Sequence, residues 1–147
     1  MDITFKHFEV CAAVITRQHD GQTEIFCAQR PGPKPGKQPN ETNYKWEFPG
    51  GKMEVGETQQ QALEREMREE FDTEIKAEKL LCTVEHTYAT FSITMHAYLS
   101  SLVHGNLLLK EHLDSAWLNP KELMTKEWAA ADIPIAQKVQ LLFENNN

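Results

Sequence analysis

Residues 57–71 carry the strongest periodic signal in this chain. Leu63, Met67 and Phe71 recur at i, i+4 and i+8 and lay one apolar stripe along a helix. Thr58 can cap that helix, with Gln61 three residues on completing a capping-box arrangement. Such a helix must lay its stripe on another element, and strand-like runs surround it. Residues 8–16 (FEVCAAVIT) read as a buried strand, and 24–29 (EIFCAQ) as its hairpin return across a turn at Asp20-Gly21. Residues 44–48 read as a short aromatic strand stopped by Pro49-Gly50-Gly51. Residues 75–86 and 89–102 read as two more strands. The second alternates Phe91, Ile93, Met95 and Ala97 against Ser92, Thr94, His96 and Tyr98. A short strand at 115–118 follows, then a short helix at 120–124 with Asn119 as cap and Pro120 at its first position. An amphipathic helix at 133–143 ends in a frayed tail at 145–147. Four prolines and two glycines make 31–43 an irregular surface loop. Several strands and two main helices in 147 residues predict one mixed α/β or α+β domain, 1–147.

The charge is concentrated. The chain carries a net −7, and residues 54–78 hold nine acids against three bases, a net of −6. An acidic chain does not coat nucleic-acid polymers or anionic membranes. No apolar run reaches the roughly 20 residues that span a bilayer, and the N-terminus has no signal-peptide core. Cys11, Cys27 and Cys82 lie far apart without Cys-x-x-Cys spacing, which reads as reduced thiols in a cytoplasmic protein.

On a wheel of about 100° per residue, Glu66, Glu69 and Glu70 fall together beside the apolar stripe. Like charges at i, i+4 near a helix C-terminus oppose stability. One reading is a solvated face paired with Arg65 and Arg68. The other is a site for a hard cation, for which oxygen-only clusters are suited. Two features favour the cation: both arginines point mostly away from the cluster on the wheel, and Pro49-Gly50-Gly51 offers bare backbone just upstream.

Gly51-x5-Glu57-x7-Arg65-Glu66-Met67-x-Glu69-Glu70 resembles the Nudix box, Gx5Ex7REUxEExGU, and every defined position up to Glu70 matches. The run WEFPGGKMEVGET resembles the MutT branch of that family. Asp72 and Thr73 replace the glycine and aliphatic residue that close the box at 51–73. Asp72 reads as an αL cap in place of that glycine, at a small cost in stability. The resemblance implies an α/β/α sandwich with a mixed sheet. It implies Mg²⁺, or Mn²⁺, held by Glu66, Glu69, Glu70 and the carbonyl of Gly50, with Arg65 and Glu57 orienting the ligands. Glu111 matches the place of a further catalytic or metal-binding glutamate; the alternative is a surface residue. The implied reaction is pyrophosphohydrolysis of a nucleoside triphosphate to monophosphate and pyrophosphate, by a monomer or homodimer acting on a small-molecule nucleotide. Departure at Asp72 and Thr73 leaves a non-catalytic nucleotide-binding module as the alternative from another class.

For the base, the resemblance points to Arg30, Glu47, Phe48, Trp128 and Asp132. Arg30 ends a strand, where it could bind phosphate bidentately or stand exposed. Asp132 stands where the MutT branch has a base-reading asparagine, and Ala131-Asp132-Ile133-Pro134 resembles the CTP pyrophosphohydrolase type. An ionised Asp only accepts, which suits an exocyclic amino group as on cytosine. The favoured substrate is therefore CTP, dCTP or a modified pyrimidine, with 8-oxo-dGTP as alternative. Asp132 could also cap the last helix, a role compatible with facing a base. Phe48 and Trp128 could wall the base or belong to the core.

Overall fold

The computed structural model describes residues 5–144. The expected frayed tail at 145–147 and the first four residues of the N-terminus lie outside them.

Seven strands form one mixed sheet: β1 (Lys6–His19), β2 (Gln22–Gln29), β3 (Trp46–Glu47), β4 (Gly50–Lys52), β5 (Glu74–Thr87), β6 (Phe91–His104) and β7 (Asp114–Leu118). The order is β3-β2-β1-β6-β5, with β4 also on β1 and β7 also on β2. β1 runs parallel to β6 from Lys6 against Phe91 to Thr16 against Ser101. Its other pairings, to β2 and β4, are antiparallel. The β1–β2 turn places Asp20 at φ 51 and Gly21 at φ 76, the double positive φ of a twist-matched hairpin turn.

Helix α1 (Gln59–Phe71) covers one face of the sheet and α2 (Ile133–Glu144) the other. Leu63, Met67 and Phe71 pack on Cys11, Ala13, Ile15, Phe26 and Ala28. Ile135, Ala136 and Val139 pack on Ala12, Val14, Ile25 and Cys27, from the alternate positions of the same strands. Burial on both faces explains why β1 is apolar without alternation. No helix among the described residues is long and apolar enough to cross a membrane.

Three local features follow the sequence expectations. Thr58 and Gln61 close a reciprocal capping box, Asn119 and Glu122 close another on a 3₁₀ turn at Pro120–Thr125, and Asp72 ends α1 in the αL region at φ 52. One strand departs from them. Residues 50–51, read as a stop, form β4, because bare glycine backbone can pair closely with β1. Thr73 is also put to use: its hydroxyl donates to the Phe71 carbonyl at 2.9 Å and accepts the Leu107 N–H at 2.8 Å. The residue that departs from the motif thus ties α1 to the segment leading to Glu111.

Candidate active site

The site begins at the two glycines of β4. Gly50 lies opposite Ala12 and Gly51 opposite Cys11, and the Ala13 N–H donates to the Pro49 carbonyl at 2.7 Å. A Cβ on Gly50 would stand 1.9 Å from the Cys11 carbonyl oxygen, and one on Gly51 2.3 Å from Cδ of Glu66. Gly50 therefore excludes a side chain, whereas one on Gly51 would displace the Glu66 carboxyl, which lies in the space that Gly51 leaves.

Arg65 organises the carboxylates around it. Its Nε donates to Glu57 Oε2 at 2.6 Å and its Nη2 to Glu57 Oε1 at 3.0 Å, a bidentate pair. Nη1 reaches Glu66 and Glu69, each at 3.0 Å, and Nη2 also holds the Lys52 carbonyl at 3.0 Å. This corrects the wheel reading, in which Arg65 pointed away from the cluster. A wheel gives only the direction in which a side chain leaves the helix, whereas an extended guanidinium reaches back across neighbouring turns. The hydrogen bond from Arg65 holds the Glu57 carboxyl below the usual range.

Glu66 and Glu70 behave oppositely. Burial first, then the charge of Glu69 and Glu54, pushes Glu66 up against the pull of Arg65. Burial and then the carboxyl of Glu111 push Glu70 up. Glu111, 41 residues further along the chain than Glu70, thus meets the helix carboxylates rather than solvent alone. Among the described residues no three acidic, imidazole or thiol groups already surround one ion position. The donor chemistry nevertheless fits a hard divalent cation: Glu66 and Glu70, raised by burial and then by neighbouring carboxylates, are relieved by positive charge.

A cavity of about 350 Å³ opens beside Gly50 and Gly51. Arg30, Glu47, Phe48, Tyr88 and Asp132 line it. Trp46 pairs with the 127–129 segment, its N–H donating to the Glu127 carbonyl and its own carbonyl accepting the Ala129 N–H, each at 2.8 Å. That pairing brings Asp132 to Phe48. Asp132 is 3% exposed, and its Oδ2 accepts the Phe48 N–H at 2.9 Å. Residues 130–132 form a 3₁₀ turn ahead of the last helix, and the Asp132 side chain meets the residue that follows β3. Burial, then the charge of Glu47, pushes the Asp132 carboxyl well above the usual range, against the pull of the Phe48 N–H and Arg30.

Phe48 stacks on Trp128 with ring centroids 4.7 Å apart and planes at 17°. Trp128 is 5% exposed and donates its indole N–H to the Leu123 carbonyl at 2.7 Å. It backs Phe48 from the core instead of lining the cavity, because its one polar atom is satisfied inward. Arg30 donates from Nη1 to Glu47 Oε1 at 3.2 Å, so its guanidinium is held at the cavity by a carboxylate partner.

Two residues here carry no sequence signal. Tyr88 lines the cavity and accepts the Ala131 N–H on its hydroxyl at 3.0 Å. His112 donates from Nε2 to Glu47 Oε2 at 2.7 Å. Neither belongs to a periodic run, and each is brought to the site by contacts distant in sequence.

Comparison with known proteins agrees with this geometry. The model of the NUDIX domain matches residues 7–139. The chain is 36% identical to the CTP pyrophosphohydrolase of Escherichia coli K12 over 137 residues, 93% of this chain and 94% of that protein. It is 37% identical to the 8-oxo-dGTP diphosphatase of Proteus vulgaris over 94 residues, 64% of this chain and 76% of that protein. The solution structure of the E. coli ORF135 protein superimposes with a TM-score of 0.73 at 36% identity, covering 94% of this chain and 91% of that one. A MutT protein from Methanosarcina mazei Go1, at 17% identity, shares the fold with a TM-score of 0.76 over 99% of both chains. With its glycine pair, glutamate helix and mixed sheet all falling within the matched span, this chain belongs to the Nudix family and is a Nudix hydrolase.

Proposed function

We propose that this Nudix pyrophosphohydrolase cleaves (deoxy)nucleoside triphosphates to the monophosphate and pyrophosphate in a Mg²⁺-dependent reaction, with CTP, dCTP or a modified pyrimidine as favoured substrate. The observation that carries this is the buried Asp132 in a cavity lined also by Gly50 and Gly51, the second of which lies against the Glu66 carboxyl of the helix. The likeness to a CTP pyrophosphohydrolase over nearly the whole chain supports the choice of base.

In this reading Glu66, Glu69, Glu70, Glu111 and the Gly50 carbonyl would hold the cation. When bound, it offsets phosphate charge and acidifies a ligated water. Arg65 and Glu57 keep the carboxylates in place through their bidentate pair. Glu70 and Glu111 form the carboxyl pair that takes a proton from water attacking phosphorus, as the bond to pyrophosphate breaks. Phe48, backed by Trp128, walls the base, Asp132 faces it, and Arg30 with Glu47 lines the same cavity. Three unpaired cysteines support a reducing, cytoplasmic setting.

A second reading, 8-oxo-dGTP as substrate, is favoured by the relatives of that name. A panel of nucleoside triphosphates with and without Mg²⁺, read by pyrophosphate release, tests both. The highest kcat/KM is expected for CTP or dCTP, with no turnover after chelation. A preference for 8-oxo-dGTP selects the second reading, and no release from any nucleotide overturns both.

A further inference from the structure

The segment that brings Glu111 to the helix also brings His112, an imidazole for which the phosphoryl chemistry has no use. The ring stacks on Phe71, the last residue of α1, with centroids 5.1 Å apart and planes at 24°. The backbone is tied down on both sides: the Leu108 N–H donates to the Phe71 carbonyl and the Leu113 N–H to the Gln29 carbonyl, each at 2.9 Å. From this seat Nε2 donates to Glu47 Oε2 at 2.7 Å, while Glu47 Oε1 takes the Arg30 guanidinium at 3.2 Å. Both oxygens of the cavity carboxylate are thus held, one by each partner.

The arrangement is not one that stability alone would select. Nδ1 of His112 and Nε of Arg30 are buried without hydrogen-bond partners among the described residues. A buried polar atom left unpaired is costly, and an apolar ring would stack on Phe71 without that penalty. What the imidazole adds is a directed donor to Glu47. Glu47 lines the same cavity as Asp132 and Phe48. A Glu47 released from His112 could turn in the cavity and would let Arg30 swing out with it.

We infer that His112 is a positioning residue for nucleotide capture: its Nε2–H fixes the Glu47 carboxylate, and through it Arg30, in the wall of the cavity. This rests on the proposed nucleotide reading of that cavity. Removing an interaction made equally before and during the reaction raises KM more than it lowers kcat.

The test compares His112→Phe, which keeps the stack but loses the donor, with His112→Gln, whose amide can still donate to Glu47. Steady-state pyrophosphate release from CTP is measured beside titrations of α,β-methylene-CTP and α,β-methylene-GTP, and thermal melts follow folding. His112→Phe is expected to raise KM and the analogue Kd about five- to tenfold, with a much smaller fall in kcat, as for one lost charge-assisted hydrogen bond. His112→Gln is expected to recover most of that loss. Should the Phe variant not fold, Glu47→Gln removes the acceptor charge and reads the same link. Wild-type KM and Kd in His112→Phe would overturn the inference. So would equal losses in the Phe and Gln variants, or a fall in kcat with KM unchanged. If the wild type releases no pyrophosphate from any nucleotide, the functional reading fails while the analogue titration still decides the role of His112.

Discussion

The Asp132 carboxylate accepts the backbone N–H of Phe48 at 2.9 Å across 84 residues of sequence. One oxygen is thereby committed to the protein within the lining of the cavity. The orientation of the Asp132 side chain is set by the residue that follows β3 rather than by the helix after Asp132.

Replacing Asp132 by Asn keeps an acceptor for Phe48 and makes permanent the donor that the buried carboxyl offers only when protonated. The ratio of kcat/KM for CTP to that for 8-oxo-dGTP is expected to fall about tenfold or more, as for a mismatched buried hydrogen bond. A substrate panel on the variant checks this, and an unchanged ratio would remove Asp132 from base recognition. Asp132→Ala leaves the buried Phe48 N–H unpaired and should cost about 1–3 kcal/mol. Chemical denaturation of the two variants separates that structural cost from the change in preference.

Arg65→Lys retains the charge but cannot reproduce the bidentate grip on Glu57 while also reaching Glu66 and Glu69. Residues that orient metal ligands typically contribute about 10–100-fold to metal affinity or activity. A loss of that size in kcat, with a rightward shift of the Mg²⁺ titration, is expected. A Mg²⁺ response identical to wild type would sink the orienting role.

Glu70→Gln should lower kcat by about 10²–10⁴, the usual contribution of a positioned acid or base. In metal-free protein the same change should stabilise, and the sign follows from the shift. Glu70 lies above its ordinary value because burial and Glu111 disfavour its charge. The fold therefore holds that proton more tightly than the unfolded chain does. Stability from this group is full below the ordinary glutamate range and is lost as pH rises through the raised value. Melting with chelator is expected to show Glu70→Gln above wild type at neutral pH and level with it in acid. A difference that grows toward acid would contradict the Glu70–Glu111 repulsion.

Asp72 ends α1 at φ 52 and ψ 41, where a Cβ is unwelcome. Asp72→Gly should gain up to about 1 kcal/mol, worth roughly 2–4 °C in a domain of this size. The turnover number should stay within about twofold, since the glycine changes strain rather than a ligand. A lower melting temperature would show that the aspartate does more than cap.

Burial raises the Cys27 thiol to about 12 and the Cys11 thiol to about 11. In folded protein at pH 8 neither should react with a thiol reagent on a timescale of minutes, while half-buried Cys82 reacts slowly. Peptide mapping after brief alkylation distinguishes the three. Rapid labelling of Cys27 would contradict its place in the sheet core.

Helix α1, its capping box, its αL stop and most of the strands were legible because their causes are local. Periodicity, a Thr–Gln pair three apart and a hairpin Asp-Gly act over a few residues. The helix carboxylates were legible for the same reason, since side chains three and four apart share a face. The grouping Glu66, Glu69 and Glu70, and the bare Gly50-Gly51 upstream, therefore followed from the order of residues alone.

What only the tertiary structure decided involves partners far apart in the chain or long side chains whose reach a wheel does not show. β4 exists because Gly50 and Gly51 can lie against β1, and Arg65 turns toward the carboxylates because Glu57 and the Lys52 carbonyl are within its reach. Asp132 faces Phe48, Trp128 turns inward to Leu123, and Glu47 is held between Arg30 and His112. Each is a hydrogen-bonding choice among several that local sequence permits. Burial settles it, because a polar group shut away from water must take the partner that the packed sheet and helices bring to it.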